Sequence, residues 1–138
     1  MSHFTTVQTK FHDKDLLIEC LEELKPAWKG LIEDNGVPRN LYGYMGDKRD
    51  QQAHIIVRRQ HVGGSSNDLG FIRKENGSYE AIISEFDRTR YSTDWMQDLG
   101  QLYAEKKTTK ELKKNGWRIN TRTVETDGRI TLTVKRWR

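Results

Sequence analysis

Residues 68–84 read DLGFIRKENGSYEAIIS and carry the clearest structural signal in the chain, because two strand-like runs flank Asn76-Gly77. Asn-Gly between such runs is typical of a β-hairpin with a type I′ turn, in which both central residues take a positive φ. Pairing the strands outward from that turn, we expect Arg73 to face Glu80, an opposite-charge pair of the kind that cross-strand neighbours favour. The stretch therefore predicts an antiparallel sheet.

A third run, AHIIVRR at residues 53–59, is rich in β-branched residues and comes shortly before the hairpin. Together with 69–75 and 78–84 it predicts three consecutive strands of an antiparallel meander. Away from the turn the hairpin is apolar on both faces, which is typical of strands in the middle of a covered sheet. Gly70 lies inside one of these strands, where glycine indicates a bulge or a close backbone approach.

Two helices are predicted to accompany the sheet. The first runs from Asp13, a suitable N-cap, to Lys25, and its leucines and single cysteine recur at helical spacing. The second begins at Ser92 or Thr93 and ends before an Asn-Gly pair, a common helix stop. Residues 2–10 alternate and are rich in threonine, so they predict one more strand.

Residues 26–51 carry weaker signals, from which we predict a short strand that ends at an Asn35-Gly36 turn. The LYGYMG run at 41–46 is interpreted as a strand or loop that packs its tyrosines over the sheet, and 47–52 as a polar turn. Its glycines do not match the dinucleotide fingerprint, and no lysine follows them as a P-loop requires.

The predicted fold class is α+β, with a mostly antiparallel sheet of five to seven strands and two main helices packed on it. A chain of 138 residues is long enough to bury a core and is expected to form one domain, 1–138. The longest apolar run is too short for a membrane span, and the N-terminus lacks the pattern of a secretory signal. Cys20 is the only cysteine, which excludes an intrachain disulfide and fits a reducing interior, either the cytoplasm or the soluble phase of an organelle.

The last hairpin supplies the candidate binding surface. Asp127-Gly128 separates residues 117–126 from 129–138 and is again typical of a type I′ turn. Pairing outward places apolar side chains on a face that we expect to turn toward the core, and places cations on the other face. The exposed face is predicted to carry the binding residues Arg118, Arg122, Arg129, Lys135 and Trp137.

Charge is distributed unevenly along the chain, whose formal net charge is +4. From Glu105 to Arg138 there are 11 lysines and arginines against 4 acidic residues, a net charge of +7. A solvated helix and lysine-protected edge strands explain such a pattern without any function. The alternative is a basic surface that meets nucleic acid, anionic lipid or an acidic partner.

No catalytic or metal-binding pattern emerges, so we expect no metal, no cofactor and no enzyme. The four histidines show no HxxxH or HxH spacing, and GSS at 64–66 lacks the second glycine of a serine nucleophile motif. Catalysis is a third hypothesis, which a deep pocket that gathers His54 or His61 with acidic residues would favour.

Two hypotheses of binding concern the basic face of the last hairpin. The first is a docking face for an acidic protein, because Trp and Arg are common interface anchors. The second is a nucleic-acid surface that would place cations on phosphates and stack a base on Trp137. The chain lacks the aromatic pattern of RNP-type sheets, which disfavours the second.

Several stretches resemble one known family: SHF at 2–4, HIIVR at 54–58, LGF at 69–71 and RITLTVKRW at 129–137. The chain resembles, over nearly its full length, the hypothetical chloroplast reading frame thirty-five family, a domain of unknown function from red-algal plastids and cyanobacteria. At 85–87 the sequence EFD departs from this family, which usually has tryptophans there.

The resemblance implies a small accessory or adaptor protein of a photosynthetic cell, or of a virus infecting one (a cyanophage). It names an AAA-type ATPase as a candidate partner, because family genes often lie near such a gene. It assigns no catalytic residues.

Overall fold

The computed structural model describes residues 4–136, and for residues 5–9 only the backbone. In chain order the elements are β1 (Phe4–Phe11), α1 (Lys14–Leu24), β2 (Glu33–Tyr42), β3 (Lys48–Val57), α2 (Arg59–Val62), β4 (Leu69–Arg73), β5 (Tyr79–Ser84), α3 (Thr93–Lys114), β6 (Trp117–Val124) and β7 (Ile130–Arg136). Short 3-10 turns occupy Pro26–Trp28 and Asp87–Thr89. The predicted α+β fold class is confirmed, with α1 and α3 as the two long helices.

A five-stranded sheet in the order β1-β5-β4-β3-β2 contains the stretch from which the fold was predicted. All neighbouring strands are antiparallel, and β3, β4 and β5 are adjacent, so the predicted meander is confirmed. The hairpin of β4 and β5 lies inside the sheet, which explains why its end away from the turn is apolar on both faces. The strands β1 and β2 form the edges.

The turn between β4 and β5 differs from the predicted type I′ turn. Lys74 N–H donates to Ser78 O at 2.7 Å, and Gly77 N–H donates to Lys74 O at 2.9 Å. Only Gly77 has a positive φ, +86°, whereas Asn76 does not. The loop therefore has three residues and ends on a left-handed glycine, the arrangement of a type I turn followed by a G1 bulge.

The extra loop residue moves the register of the hairpin by one position. Arg73 faces Tyr79, and Glu80 faces Ile72, so the prediction that Arg73 faces Glu80 was wrong. Glu80 instead forms an ion pair with Lys74, whose Nζ lies 3.6 Å from the carboxylate. A change of one loop residue is enough for this, because strand register is set by the turn.

The core combines the sheet with the apolar side of α1. Asp13 caps α1 as predicted, since its carboxylate accepts a hydrogen bond from Leu16 N–H at 3.1 Å. Cys20 is fully buried in the apolar stripe of that helix, where it packs as a small core residue. On the sheet, a Cβ added to Gly70 would lie 2.6 Å from Ala53 Cβ and 3.0 Å from a methyl group of Leu41, which confirms the predicted close approach.

Residues 26–51 differ most from the prediction. The strand β2 continues through Asn35 and Gly36 to Tyr42, so the predicted turn at that pair is wrong. The chain reverses at Gly43–Asp47 instead, where Gly43 N–H donates to Asp47 O at 2.8 Å and Gly46 has a φ of +78°. The predicted polar turn at 47–52 is also wrong, because β3 begins at Lys48.

The chain divides into two compact units, residues 1–100 and 101–138. The strands β6 and β7 form a two-stranded sheet of their own in the second unit. The two predicted hairpins therefore belong to separate sheets. The helix α3 runs through the boundary at Gly100 without a break. The assignment of one domain to 1–138 stays a prediction.

Candidate functional site

The hairpin of β6 and β7, which carries the predicted binding surface, repeats the turn chemistry of the first one. Glu125 N–H donates to Arg129 O at 2.7 Å, and Gly128 N–H donates to Glu125 O at 2.9 Å. Gly128 takes a φ of +87°, so Asp127-Gly128 forms a three-residue loop and not the predicted type I′ turn.

A bulge in β6 separates cations that the sequence had placed together. Between Ile119 and Thr121 the pairing slips by one residue, so that Asn120 is an extra residue in the strand. Because successive side chains of a strand point to opposite faces, the bulge reverses the alternation beyond it. Arg118 and Arg122 consequently lie on opposite faces of the hairpin.

Arg122 lies on the face turned toward α3, so the prediction that it shares the exposed face with Arg118 and Lys135 was wrong. Its guanidinium binds the Glu105 carboxylate in a bidentate manner, with Nε to Oε2 at 2.5 Å and Nη2 to Oε1 at 3.0 Å. Planar two-point pairing of this kind is the geometry that arginine and carboxylate groups favour. Arg122 thus joins helix to hairpin within the second unit.

Arg118 and Lys135 are directly opposite each other on the two strands, and both side chains are exposed. The same face continues with two facing threonine pairs, Thr121 with Thr133 and Thr123 with Thr131, all exposed. Like charges directly opposite each other in a sheet repel and destabilise the pairing. This face therefore concentrates positive charge at one end of the hairpin.

The remaining predicted residues lie elsewhere. Arg129 is at the turn, and its Nε lies 2.7 Å from Asp127 Oδ2 in an exposed ion pair. Trp137 lies outside the residues that the structure describes. A contact that the sequence did not suggest joins Arg136 to Trp117, with the guanidinium carbon 5.1 Å from the ring centroid. Such cation–π pairs are modest in energy at exposed sites.

Burial in the second unit is sparse. Among the described residues of this unit, 101–136, only Tyr103 is buried, and every residue of β6 and β7 is exposed or half-buried. Val124, at 56% exposure, and Val134 are apolar side chains left open on the strands. A groove of about 360 Å³ between α3 and the hairpin is lined by Gln101, Ala104, Glu105, Thr108, Ile130 and Leu132.

The first unit contains an ion-pair network that sequence reasoning missed. Arg58 donates from Nε and Nη2 to the Glu33 carboxylate at 2.7 and 2.9 Å, and from Nη1 to Asp68 Oδ2 at 2.8 Å. The hydrogen bond from Arg58 is the main reason why the pKa of Glu33 lies below its ordinary value. The arginine thereby joins the start of β2 to the residue that precedes β4.

Asp68 holds three segments together, although it is only 1% exposed. Besides Arg58, its carboxylate accepts hydrogen bonds from Tyr42 N–H and from Arg59 N–H, both at 2.7 Å. These donors satisfy a buried charge that would otherwise be costly. The end of β2, the start of α2 and the start of β4 are therefore fixed around one carboxylate.

Asn67 makes a second set of buried hydrogen bonds beside it. Its side-chain oxygen accepts from Tyr44 N–H at 2.9 Å, and its amide donates to Ser84 Oγ at 2.9 Å. Asp87 accepts from Asn67 N–H at 3.0 Å and from the Ser84 hydroxyl at 2.7 Å. This network attaches the 43–47 loop to the segment after β5.

The sequence offered only a weak signal for these networks. Asp68 directly precedes the apolar LGF run, and Arg58 directly follows IIV, so each charge adjoins a buried strand. Such positions are sites where a charge must find a partner. The partners of these two charges come from residues 9 to 26 positions away, a separation that local patterns do not reveal.

The catalytic hypothesis gains no support from the histidines. His54 Nδ1 accepts a hydrogen bond from Arg73 N–H at 3.0 Å, and its ring packs edge-on against Tyr79. Burial, followed by the nearby Arg73 charge, lowers the pKa of His54. Neither His54 nor His61 lines the groove in the second unit or the cleft described below.

Within residues 4–136, no group of three His, Cys, Asp or Glu side chains is arranged to hold a metal ion. Across the same residues, every helix is too short or too polar to span a bilayer.

A family model described as "Protein of unknown function (DUF1257)" matches residues 20–133, which is most of the chain. The chain belongs to this family. It is 30% identical over 143 residues to the "Uncharacterized protein ycf35" of Guillardia theta, covering 100% of this chain and 99% of that protein. It is 25% identical over 138 residues to the protein of the same name from Pyropia yezoensis, covering 99% and 98% of the two chains. The resemblance inferred from the sequence is confirmed. No solved structure matches the chain significantly.

Proposed function

We propose that the protein is a non-enzymatic accessory or adaptor protein that binds an acidic partner protein through residues 101–136. The observation that carries this proposal is the absence of buried residues from 104 to 136 in the described chain. An isolated two-stranded hairpin is marginally stable in water, because one thin layer buries too little apolar surface. A partner that covers the hairpin would supply the missing burial.

The chemistry of the partner follows from charge. The unit from Gln101 onward carries 11 basic and 4 acidic residues, and Arg118 faces Lys135 on an exposed strand face. A carboxylate from a partner placed between these two cations would turn their repulsion into attraction. The groove beside Ile130 and Leu132 can receive an apolar side chain next to that charge. An acidic surface with an apolar anchor therefore fits best.

The family resemblance adds a candidate partner and a cellular compartment to this proposal. An AAA-type ATPase is the first partner to test, and the cytoplasm or plastid stroma of a photosynthetic cell is the compartment in which we place the interaction. Both remain parts of the proposal, because the relatives that match are named only as uncharacterised proteins.

The test is a comparison of variants in nuclease-treated extracts of a photosynthetic cell. Tagged wild-type protein is compared with the double variant R118E/K135E by affinity purification and quantitative mass spectrometry. The double variant exchanges two facing cations for two facing anions, so the cross-strand repulsion stays while the sign of the face is reversed. The proposal expects one protein whose recovery falls at least roughly tenfold with the double variant, equivalent to about 1.4 kcal/mol.

The matched control is K29E/K48E, which makes the same change of charge at two exposed lysines of the first unit. Recovery of the partner should match that of the wild type, and the interaction should then be reproduced with the purified partner. If every nuclease-resistant protein is recovered equally with wild type and R118E/K135E, the proposed docking face is wrong.

Nucleic-acid binding is the second candidate, favoured by the exposed face that joins Arg118, Lys135 and four threonines. Cations on phosphates release counterions, so the affinity for a labelled DNA or RNA strand would fall steeply with salt. Arg122 and Arg129 contact carboxylates inside the unit, which leaves fewer cations for phosphates than the sequence suggests. Absence of binding at low salt in a gel-shift titration would eliminate this candidate.

A further inference from the structure

The loop LYGYMG, which matches no nucleotide-binding fingerprint, borders a cleft of about 390 Å³ in the first unit. The lining residues are Tyr42, Gly46, Arg58, Arg59, Gln60 and Asp68. This volume falls in the range of small-molecule sites, which combine a few polar groups with aromatic walls. The cleft lies where Asp68 fixes three segments, so its walls are held in place without a ligand.

The aromatic wall is Tyr42, which is 37% exposed although it ends a strand of the main sheet. The guanidinium carbon of Arg58 lies 5.7 Å from its ring centroid, and Arg58 is held in turn by Glu33 and Asp68. The ring therefore has a fixed cation beside it and is partly open to solvent. Accessible aromatic rings are the usual platforms on which nucleic-acid bases stack.

The charged wall is Arg59. Its Nη1 donates to Tyr44 O at 3.1 Å, which anchors the guanidinium beside the loop. Gly46 adjoins this cation, since a Cβ added to it would lie 3.8 Å from Nη2, an ordinary contact distance. Within residues 4–136 no carboxylate pairs with the Arg59 side chain, whereas the charge of Arg58 is offset by Glu33 and Asp68. Arg59 is thus the cation that can serve an anionic ligand.

We propose that this cleft binds a nucleotide, with the base stacked on Tyr42 and the phosphate held by Arg59. A guanidinium suits phosphate because its N–H groups match the oxygens in a two-point arrangement. Gln60, exposed at the edge of the cleft, can donate to and accept from the edge of a base. The proposal concerns the first unit alone and does not depend on the docking function of residues 101–136.

The test is an NMR titration of the whole protein with adenosine 5′-monophosphate. Separate titrations use adenosine and inorganic phosphate, the two parts of that nucleotide. We expect the complete nucleotide to shift the amides of Tyr42, Arg59 and Gln60 and to bind more tightly than either half. The variants Y42L and R59Q should each weaken binding by roughly tenfold or more, since each removes one of the two principal contacts.

Two matched controls separate recognition from folding. F86L changes an exposed aromatic side chain that does not line the cleft, and R73Q removes an exposed arginine elsewhere in the sheet; both should bind like the wild type. R59K should retain part of the affinity, because it keeps the charge and loses the planar fork. Thermal melts identify any variant that is unfolded.

Three results would overturn the assignment. The first is the absence of amide shifts at the cleft up to about 5 mM nucleotide, a concentration that detects even very weak binding. The second is an unchanged affinity in Y42L and R59Q. The third is equal affinity for the nucleotide and for phosphate alone. Failure of the partner test described above would leave this result unaffected.

Discussion

Arg58 Nη1 lies 2.8 Å from Asp68 Oδ2, and this ion pair joins the end of β3 to the start of β4. The carboxylate is almost wholly buried, whereas the arginine side chain is 21% exposed and also binds Glu33. A buried charge whose partner is removed is strongly destabilising, because the survivor keeps its desolvation cost without the compensating attraction. The pair should therefore matter more to stability than the surface ion pairs of this chain.

Replacing Asp68 by Asn should lower the free energy of unfolding by about 3 kcal/mol. The substitution keeps the shape of the side chain and removes its charge. It also places an NH₂ group against N–H groups that donate to the carboxylate in the wild type. Urea denaturation measures the effect. The matched control is D50N, an exposed aspartate in β3, which should change stability by less than about 0.5 kcal/mol. Equal losses for the two variants would contradict the role given to Asp68.

Gly70→Ala should lower stability by about 1–3 kcal/mol, because the new methyl group would lie 2.6 Å from Ala53 Cβ. That separation is too short for two carbon atoms, so the backbone of β3 or β4 must move. Gly64→Ala serves as control, since nothing lies within 4 Å of its added Cβ. Melting temperatures of the two variants should differ clearly, and coincident melting curves would show that the strands are further apart than described.

Substitution of Lys135 should stabilise the second hairpin while weakening partner binding. K135Q removes the repulsion from Arg118, and K135E replaces it by attraction, so hairpin stability should rise from wild type through K135Q to K135E. Each step is worth about 0.2–1 kcal/mol. Hydrogen exchange of the β6 and β7 amides measures the order of stability.

A rise in hairpin stability together with a loss of partner binding would show that this face has a role in binding. Partner recovery should fall in the same order, from wild type to K135E. If K135E binds the partner as well as the wild type does, Lys135 is not part of the docking face.

His54 should make stability depend on pH. Its pKa is lowered in the folded chain from the ordinary value of 6.5, so the unfolded chain binds the extra proton more readily. Stability from this residue is then fully present above pH 6.5 and falls as the pH drops from there through the lower folded pKa. Protonation also removes the acceptor for Arg73 N–H.

The measurement compares wild type with H54Q by denaturant unfolding at several pH values. The stability advantage of the wild type should shrink as the pH falls below 6.5, because only the wild type carries the titrating ring. An advantage that is constant over that interval would show that the imidazole environment differs from the one described.

Sequence patterns predicted the strands of the meander, both long helices and the Asp13 cap, because each depends on residues a few positions apart. They missed the registers of both hairpins, since Asn-Gly and Asp-Gly fit a two-residue loop and a three-residue loop equally well. Only the left-handed φ at Gly77 and Gly128, with none at the preceding residue, distinguishes the two.

The candidate site was harder to predict for the same reason. The bulge at Asn120 has no local signature, and it moved Arg122 from the exposed face to Glu105. The regular alternation of side chains between the two faces of a strand cannot be extrapolated beyond such an extra residue. The network around Asp68 and the cleft beside it depend on long-range pairing, which a charge next to an apolar run can suggest but cannot place.

The helix α3 has a practical consequence for dissecting this protein. A gene truncated at Gly100 would cut through hydrogen bonds in the middle of a continuous helix and leave about two turns, which end on unsatisfied carbonyl groups. Leu99, fully buried, would then sit in the fraying last turn. A variant that lacks the C-terminal hairpin should therefore keep the whole of α3 and end at Lys114. Loss of binding is then not confused with unfolding of the core.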